Sequence, residues 1–454
     1  MLDNETLQKC KQDFDQFLPL YLSMQKYYDG KTDAMAKYQE ITERANNKVN
    51  CNFIQKFINE EASYVCGNKI TYVSHSGNQQ ETEDIRTALK HWSLKHNREL
   101  CKQALIFSEA YELYSTDALG RFSPLICTPL NSYVLYDLDD DYGEATNIPV
   151  KAFIRFFRKK FDASKTCYAD VYTDDGDITH YTVTGSSFLQ IPGSEVDHNV
   201  FNRVPVGIVN IGSISESLFS ILKGLQDGYE TNLSDIVNEI SDFRNAYLVL
   251  INSMIDDKNK DADGKTQADK MKKNGIMSLK KDGDAKWLIK NINDSFVQNT
   301  LNTLEDKMYQ LASHINNNEK MVSNTSSLAL RNRLIGLEQR CANNIEAMTD
   351  AIQTRIQLLF EYLHIKQGLN YDWRDIDPKF TPCIPTDDLM MAQIISQLNG
   401  KISTKTGISQ LSFVDNPENE MEQLKKENKA NNVGQGLLDS ASKVPPIPGN
   451  GDTA

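Results

Sequence analysis

Residues 327–364 read SLALRNRLIGLEQRCANNIEAMTDAIQTRIQLLFEYLH, and this stretch decides the fold of the chain. Its apolar residues recur in steps of three or four, and the same phase returns every eleven residues. A period of about 3.67 residues per turn keeps them on one face of a nearly straight helix, about 55 Å long. We expect such a helix, with one narrow stripe, to pack against other long helices in an assembly. The stripe consists of Leu330, Leu334, Leu337, Cys341, Ile345, Met348, Ile352, Ile356, Leu359 and Leu363.

Length and charge set the first limits on function. A chain of 454 residues exceeds one ordinary domain, so we expect two to four structural units. The net charge of -13 argues against a protein that wraps DNA with a basic surface. The same charge is compatible with a protein that surrounds DNA without gripping it.

The cysteines and the N-terminus indicate the cellular compartment. Eight cysteines are scattered along the chain with no Cys-x-x-Cys pair and no Cys/His spacing typical of a zinc site. This usage is typical of reduced, buried thiols in a cytosol, and it predicts no metal or other cofactor. The first residues, MLDNETLQKC, lack the features of a signal peptide, and no window approaches 18 apolar residues. The sequence therefore predicts a soluble intracellular protein.

The N-terminal half divides into a helical part and a β-rich part. Beyond residue 108 the chain is rich in Tyr, Val, Ile and Phe and is broken by turn residues, which indicates strands. Asp174-Asp175-Gly176-Asp177 is a hairpin signal. Residues 186–212, with two prolines, are predicted to be an irregular connection. The predicted helices are 5–28, 53–66 and 81–106, and the predicted strands are 69–75, 109–115, 121–137, 149–159, 167–173 and 178–185.

A second long helix is predicted from Ser213 to Leu250, with Gly224 and Gly228 as a kink. Only Lys223 and Arg244 offset the acidic residues on its other faces. Those acidic residues are Glu216, Asp227, Glu230, Asp235, Glu239 and Asp242.

After this helix the apolar stripe is lost over 256–293, a segment rich in Lys, Asp and Gly. Two strand-like pieces lie within it, at 276–279 and 286–290, and a further helix is predicted over 294–313. The C-terminal region contains a proline-rich stretch, three helical pieces and a polar tail. These segments are 373–385, the helices 386–399, 404–411 and 416–429, and the tail from 430.

Motifs of catalysis and ion binding are incomplete. Two Gly-Lys-Thr triplets lack the earlier glycine of a P-loop, because positions 25 and 259 are Gln and Asn. An EF-hand-like start at Asn259 has Lys270 where a bidentate glutamate is required. The histidines lie in separate segments, without His-Glu-x-x-His, and no Gly-x-Ser-x-Gly elbow is present. The sequence therefore predicts a protein that is not an enzyme.

The order of several short stretches resembles the portal proteins of tailed bacteriophages, specifically the siphophage portal family. Each stretch is weak alone, but their common order extends over about residues 20–430. The stretches are Tyr27–Lys31, Asn52–Ile54 with Gly67–Tyr72, Phe201–Val206, Leu233–Asp235 with Ile240–Leu248, Leu334–Glu338, and Ile402–Lys405 with Phe413–Glu418.

The resemblance implies an α+β, mainly α fold: the portal fold, with an α/β wing, a long-helix stem, a small α/β clip and a helical crown. It also implies a dodecameric ring around a DNA channel. Mapped onto this chain, the regions are the wing 1–212 with the helix 327–366 and the return segment 367–385, the stem 213–255 with 294–313, the clip 256–293, the channel loop 314–326, the crown 386–429 and a disordered tail 430–454.

In that family the ring lies at one capsid vertex and is a passage for double-stranded DNA in packaging and ejection. The resemblance implies terminase and the head-completion adaptor as partners at the clip. It implies scaffold and major capsid proteins as partners at the wing and crown. The implied location is the virion, with assembly in the host cytoplasm. No membrane, cofactor or catalytic residue is implied.

Helix geometry is compatible with such a ring. Twelve helices at a spacing of about 10 Å leave a bore of about 28 Å, wider than a DNA duplex of about 20 Å. Eight helices would leave only about 15 Å, which is too narrow. An acidic wall would let DNA slide, whereas a basic wall would hold it through counterion release. The acidic candidates for the wall are Glu230, Asp235, Glu239 and Asp242, and an ordinary solvated face is the alternative for each.

Two further segments are candidates for contact with DNA or with partners. The polar loop Asn316-Asn317-Asn318-Glu319-Lys320 is expected to touch the DNA backbone without reading sequence, and an ordinary interhelical loop is its alternative. The clip lysines could face exiting DNA or acidic partner surfaces, although seven Asp residues within 256–284 weaken that inference. These lysines are Lys270, Lys272, Lys273, Lys280, Lys281 and Lys286.

A rival interpretation from another class is a cytosolic helical scaffold that oligomerises through its long helices and never meets DNA. The apolar stripe alone does not separate this possibility from a portal. A nucleic-acid enzyme is disfavoured by the incomplete motifs.

Overall fold

The structure is a computed structural model. It describes residues 2–39, 46–137, 149–194, 196–243, 247–251, 282–288, 294–316 and 327–382, with a few isolated positions within 258–266 and 396–427. The chain forms two compact units, Met1–Cys383 and Ile384–Ala454. The segments expected to form a crown and a tail, 386–429 and 430–454, lie almost wholly outside the described residues.

Helices and strands are both present in the first unit, and helices predominate. The helices are α1 Asn4–Tyr28, α2 Asp33–Lys37, α3 Phe53–Cys66, α4 Gln79–Leu89, α5 His96–Phe107, α6 Leu218–Phe243, α7 Asp294–Leu311 and α8 Ser327–Gln367. The strands are β1 Thr71–Ser74, β2 Glu109–Thr116, β3 Phe122–Cys127, β4 Ser132–Tyr136, β5 Val150–Arg158, β6 Cys167–Thr173, β7 Asp177–Thr184, β8 Ser187–Gln190, β9 Asp197–His198, β10 Val206–Asn210, β11 Tyr247–Ile251, β12 Asp284–Leu288 and β13 Ile376–Lys379.

The helix starts follow local capping chemistry. Asp3 accepts a hydrogen bond from the Thr6 amide at the start of α1, and Asn52 accepts one from the Gln55 amide at the start of α3. The prediction of one helix over 81–106 is wrong, because a turn separates α4 from α5. That turn places the Trp92 ring against Phe122, and the Trp92 Nε1 donates to the Phe122 carbonyl.

The larger sheet has the order β4-β5-β6-β7-β8, with β9 paired to one end of β7, and all its pairs are antiparallel. The predicted hairpin is confirmed at Gly176, which has φ +87° between β6 and β7. The apolar face of α1 covers this sheet, and Phe14 of α1 packs against Phe156 with ring centroids 4.7 Å apart. Burial of alternate strand residues under one amphipathic helix thus forms the first core.

In a smaller sheet, β10-β2-β3, the side of β2 that carries Glu112 packs against both α5 and α8. The opposite side of β2, with Tyr111, packs against Phe153 of the larger sheet. The expectation of an irregular 186–212 is wrong, because this segment contains β8, β9 and β10. Its two prolines lie outside these strands, where they do not interrupt hydrogen bonding. Gly207 of β10 allows a close approach to α8: a Cβ there would lie 2.9 Å from Tyr114 Oη and 3.0 Å from the Ala351 carbonyl oxygen.

The long helix predicted from Ser213 ends earlier than expected. A 3-10 turn at Ile214–Glu216 precedes α6, which ends at Phe243, and β11 pairs with β12 in antiparallel register. The run Tyr247–Ile251 is continuously apolar, a pattern that helices and buried strands share, so periodicity alone could not place this boundary. Of the two strand-like pieces predicted in 256–293, 286–290 overlaps β12 and 276–279 lies outside the described residues.

The prediction of a long helix over 327–366 is confirmed, since α8 spans 41 residues. From residue 337 onward its stripe is buried except at the half-buried Ile345, and Cys341, Met348, Ile352 and Ile356 are all at 0% exposure. The stripe packs on β10, α3 and β13 of the same chain. For the stripe from residue 337 onward, the expectation that it must meet other long helices is therefore wrong, and this part of the stripe is no evidence for assembly.

A buried ionic cluster joins α8, β2 and the start of α5. Arg355 is 1% exposed, and its Nε and Nη2 donate to Glu112 Oε2 at 3.1 and 2.7 Å. Its Nη1 donates to Asn97 Oδ1 at 3.0 Å, and His96 Nε2 lies 2.5 Å from Glu112 Oε1. Burial opposes ionisation of Glu112, but the Arg355 guanidinium and His96 outweigh it and lower the pKa of Glu112 to about 2.

Truncation of the α8 stripe tests this packing. Ile356→Ala should lower the free energy of unfolding by about 2–5 kcal/mol, because it removes buried methyl groups and leaves a cavity. Ile335→Ala, on the same helix at a side chain 45% exposed, should change it by less than about 0.5 kcal/mol. Urea unfolding of both variants measures the difference. Equal losses would contradict the burial pattern.

The Glu112–Arg355 pair predicts a pH dependence. Because the folded-state pKa of Glu112 is lowered from 4.5 to about 2, its stabilisation is fully present above pH about 4.5 and is lost as pH falls toward 2. Glu112→Gln, which leaves Arg355 unpaired, should cost about 3–5 kcal/mol at neutral pH. The difference in the free energy of unfolding between wild type and variant should become smaller as the pH falls below about 4.5. A gap that does not change with pH would contradict the assignment, and Glu83→Gln at an exposed carboxylate is the control.

Candidate functional site

The sequence assigned the acidic side of α6 to a channel wall, and the structure shows what that side contacts. Residues 27–38 and 47–51 of the same chain pack along α6, and α7 packs on the helix as well. Three of the acidic side chains accept hydrogen bonds from hydroxyl groups in this N-terminal segment. The acidic side is therefore largely an internal contact surface.

The first contact on this surface is ionic. Lys223 Nζ lies 3.0 Å from Asp33 Oδ2 and 3.1 Å from Asp227 Oδ2, and it donates to Tyr27 Oη at 2.7 Å. The Tyr27 hydroxyl in turn donates to Asp227 at 2.8 Å. Burial raises the pKa of Tyr27 to about 12, so this hydroxyl keeps its proton and remains a donor.

Further along α6, its side chains satisfy the backbone of an extended segment. The amides of Cys51, Val49 and Asn47 donate to Glu230 Oε1, Ser234 Oγ and Asn238 Oδ1, at 3.0, 3.0 and 2.6 Å. Since the three acceptors are four residues apart, they lie on one face of the helix. The segment 47–51 is thus held by a row of helix side chains.

Sequence reasoning missed this row, although a signal for it exists. Gln226, Glu230, Ser234 and Asn238 place a polar side chain at every fourth position, and each of the four is buried. Buried polar groups require partners, so a polar stripe inside a helix that also carries an apolar stripe indicates a backbone segment docked on it.

The placement differs among the acidic candidates for the channel wall. Glu230 is 0% exposed and accepts from the Thr32 hydroxyl, the Cys51 amide and Gln226 Nε2, so its position does not fit a wall facing DNA. Asp235 is half-buried and accepts from Tyr38 Oη at 2.6 Å. Glu239 is half-buried near the C-terminal end of α6, and the side chain of Asp242 is not described.

The start of the candidate channel loop is firmly attached to the core. His314 is buried, packs against the Phe57 ring with centroids 4.4 Å apart and the rings tilted by 37°, and has Nδ1 2.7 Å from the Ala312 carbonyl oxygen. Burial lowers the pKa of His314. Asn316 Nδ2 donates to Glu305 Oε1 at 3.4 Å, while Asn317, Asn318, Glu319 and Lys320 lie outside the described residues.

The candidate lysines of the clip are almost all beyond what the structure describes. Lys286 lies in β12, without a described side-chain position. The others, Lys270, Lys272, Lys273, Lys280 and Lys281, lie outside the described residues.

The described ranges carry neither a cluster of metal-ligating side chains nor a helix suited to a bilayer. Those residues include no group of three or more His, Cys, Asp or Glu side chains placed to hold a metal ion. Their helices include none that is both long enough and apolar enough to cross a bilayer.

Removal of the Glu230 carboxylate tests the row of contacts on α6. Glu230→Ala should destabilise the protein by about 1–3 kcal/mol, because the Cys51 amide and the Thr32 hydroxyl lose a buried acceptor. Hydrogen exchange should show faster exchange at the amides of 47–51. Glu239→Ala is the matched control and should leave these amides protected. Unchanged exchange in Glu230→Ala would contradict the docking of this segment on α6.

Comparison with known proteins places these features in a family. The family described as phage portal protein, SPP1 Gp6-like, matches residues 7–434. The portal protein of Bacillus phage SPP1 is 21% identical over 431 residues, covering 88% of this chain and 79% of that protein.

Two solved structures share a general similarity with the chain. The neck of an empty GTA particle, computed with C6 symmetry, gives a TM-score of 0.46 at 10% identity, covering 87% of this chain and 93% of that one. The virion of a native gene transfer agent (GTA) particle gives 0.43 at 11% identity, with 88% and 92% covered. Because the family match extends over nearly the whole chain, this protein belongs to the SPP1 Gp6-like phage portal proteins.

Proposed function

We propose that this chain is the subunit of a portal ring at one capsid vertex, through which double-stranded DNA is packaged and ejected. The observation that carries the proposal is the family match over residues 7–434. It does not depend on the apolar stripe of α8, which is satisfied within one chain. The ring is proposed to have about twelve copies, a number for which helix packing leaves a bore wide enough for a duplex.

The helix pair α6 and α7 is proposed as the stem around the channel. The two helices pack against each other, and the chain between them contains the antiparallel pair β11–β12. This arrangement supports a stem whose far end carries a small β-containing clip over 256–293. Because β11 pairs with β12, residues 247–251 are proposed to belong to the clip, whereas the resemblance implied that they belong to the stem.

The remaining regions of the proposal follow the family. Residues 1–212 form the wing, with α8 and the return segment 367–385, and residues 386–429 form the crown. Terminase and the head-completion adaptor are proposed to dock on the clip, and scaffold and major capsid proteins on the wing and crown. The clip lysines, Lys286 among them, are proposed to face DNA or acidic partner surfaces there.

Electrostatics supports passage of DNA without tight binding. The chain has a net charge of -13, so a ring of such chains repels phosphate over most of its surface. Glu239 and Asp242 remain the proposed acidic groups of the wall, with Asp235 at its edge, and Glu230 is withdrawn because it is buried. The loop 314–326, which leaves the core at His314, is proposed to contact the DNA backbone.

The mass of the assembled particle tests the ring. Twelve copies of a 51.4 kDa chain should give a species of about 617 kDa by native mass spectrometry. A discrete species of this size, or of a neighbouring ring number, is expected. A monomer or an open series of sizes at assembly concentrations would contradict a closed ring.

The DNA role of the loop is tested separately. Deletion of 316–320 should leave the ring intact but reduce the DNA packaged per head, because the loop is proposed to touch the duplex. Substitution of the exposed pair Asn302 and Asp306 by alanine on α7 is the control for a change in the stem that leaves the loop intact. DNA content per particle measures the effect. Normal packaging by the deletion variant would refute the loop assignment.

A further inference from the structure

A cavity of about 550 Å³ opens on the surface of the first unit, away from α6 and α7. Its walls come from three pieces of chain: residues 66–72, the C-terminal half of α4, and residues 92–97. Its volume lies in the range typical of ligand pockets, about 300–1,000 Å³. The proposed channel, stem and clip do not use it.

The floor of the cavity is built from fixed aromatic and cationic groups. Arg355 reaches it, and its guanidinium carbon lies 5.1 Å from the centre of the Trp92 ring. The Trp92 ring is held in place, because it stacks on Phe122 at 5.7 Å and its Nε1 donates to the Phe122 carbonyl. Tyr72 is the third residue of the floor, and it adds an aromatic ring with a polar hydroxyl group. A rigid floor of this kind loses little freedom when a side chain docks on it.

The rim is cationic and aliphatic. Lys69, Arg86 and Lys90 are exposed around it, against the single carboxylate of Glu83, which pairs with Arg86 at 2.7 Å. Lys69 and Lys90 make no ion pair within the part of the chain that the structure describes. Leu94, on the same rim, is 88% exposed. The ammonium groups of Lys69 and Lys90 thus lie beside an exposed leucine. They form a locally positive and apolar patch on a chain whose net charge is -13.

We propose that this cavity is a docking site for an acidic segment of a partner protein, which inserts one large apolar side chain between flanking carboxylates. The apolar side chain would rest on Trp92 and Tyr72, and the carboxylates would pair with Lys69 and Lys90. Charge complementarity argues for an acidic partner, since the cationic rim attracts carboxylates while the rest of the chain repels them. The site does not depend on ring formation, because a single chain supplies all its walls.

A nucleic acid is the less favoured occupant. Aliphatic groups, Leu89, Leu94 and Ile70, line the cavity, where they can pack against an apolar side chain but offer no π-face for a base to stack on. Of the basic groups, Lys69 lies on one wall and Arg86 and Lys90 lie on another, so they do not form a continuous track for phosphates. A short acidic peptide matches both features.

Fluorescence anisotropy with labelled peptides tests the proposal on the full-length protein. The probe is the acetylated peptide Glu-Asp-Phe-Asp-Glu, compared with versions in which Phe becomes Ser or the acidic residues become Lys. The acidic Phe peptide should bind at least about tenfold more tightly than either version, and more weakly as NaCl rises from about 0.05 to 0.3 M.

Charge-reversal variants locate the binding. Lys69→Glu with Lys90→Glu should weaken binding of the acidic peptide by about tenfold or more, because two attractive contacts become repulsive. Lys31→Glu with Lys160→Glu makes the same change in net charge at exposed lysines that do not line the cavity. This variant should bind the peptide with an affinity within about twofold of wild type. Circular dichroism checks that both double variants are folded.

Several results would overturn the proposal. One is equal weakening in both double variants, since it would show an effect of net charge alone. Another is tighter binding of an oligonucleotide than of the acidic peptide at the same site, which would assign the cavity to nucleic acid. A third is peptide binding by the monomer that disappears in the assembled ring, because a neighbouring copy would then be the occupant.

Discussion

The ion pair between Glu112 and Arg355 is the constraint on which the first unit depends. It joins α8, the β2 strand and the start of α5 at a point where Glu112 and Arg355 are buried and Asn97 is half-buried. A buried pair of this kind adds little net stability, but loss of either partner leaves a buried charge, which is costly. The pair therefore fixes the rotation and register of α8 against the small sheet. With α8 fixed, its apolar stripe faces β10, α3 and β13 and is closed within one chain.

The α6 helix is likewise held in place by buried polar contacts, here made by neutral and acidic side chains. Its buried polar row satisfies the amides of residues 47–51, and its acidic residues engage hydroxyl groups from residues 27–38. The N-terminal segment is thereby attached to the helix proposed as the stem. Movements of the stem relative to the wing would have to break these hydrogen bonds, each of which has a buried or half-buried partner. Coupling between the proposed wing and stem follows from this row of contacts.

Sequence reasoning placed most elements and few of the site residues. The α8 span was confirmed to within one residue at its C-terminal end, because a sustained apolar period is a strong signal. The end of α6 at Phe243 was missed, since the run Tyr247–Ile251 is apolar without a distinguishing period. Glu230 was mistaken for a surface acid because periodicity shows where apolar groups point, not which polar groups are covered by a distant segment. Family membership came from the order of short motifs, and composition gave no hint of it.

The central claim is that about twelve copies of this chain surround a channel with α6 and α7 at its wall. Cryo-electron microscopy of the purified protein tests it most directly. Closed rings with a central hole of about 28 Å, and with the α6–α7 pair nearest the hole, are expected. Filaments, small bundles, or rings in which the α1-covered sheet lines the hole would contradict it.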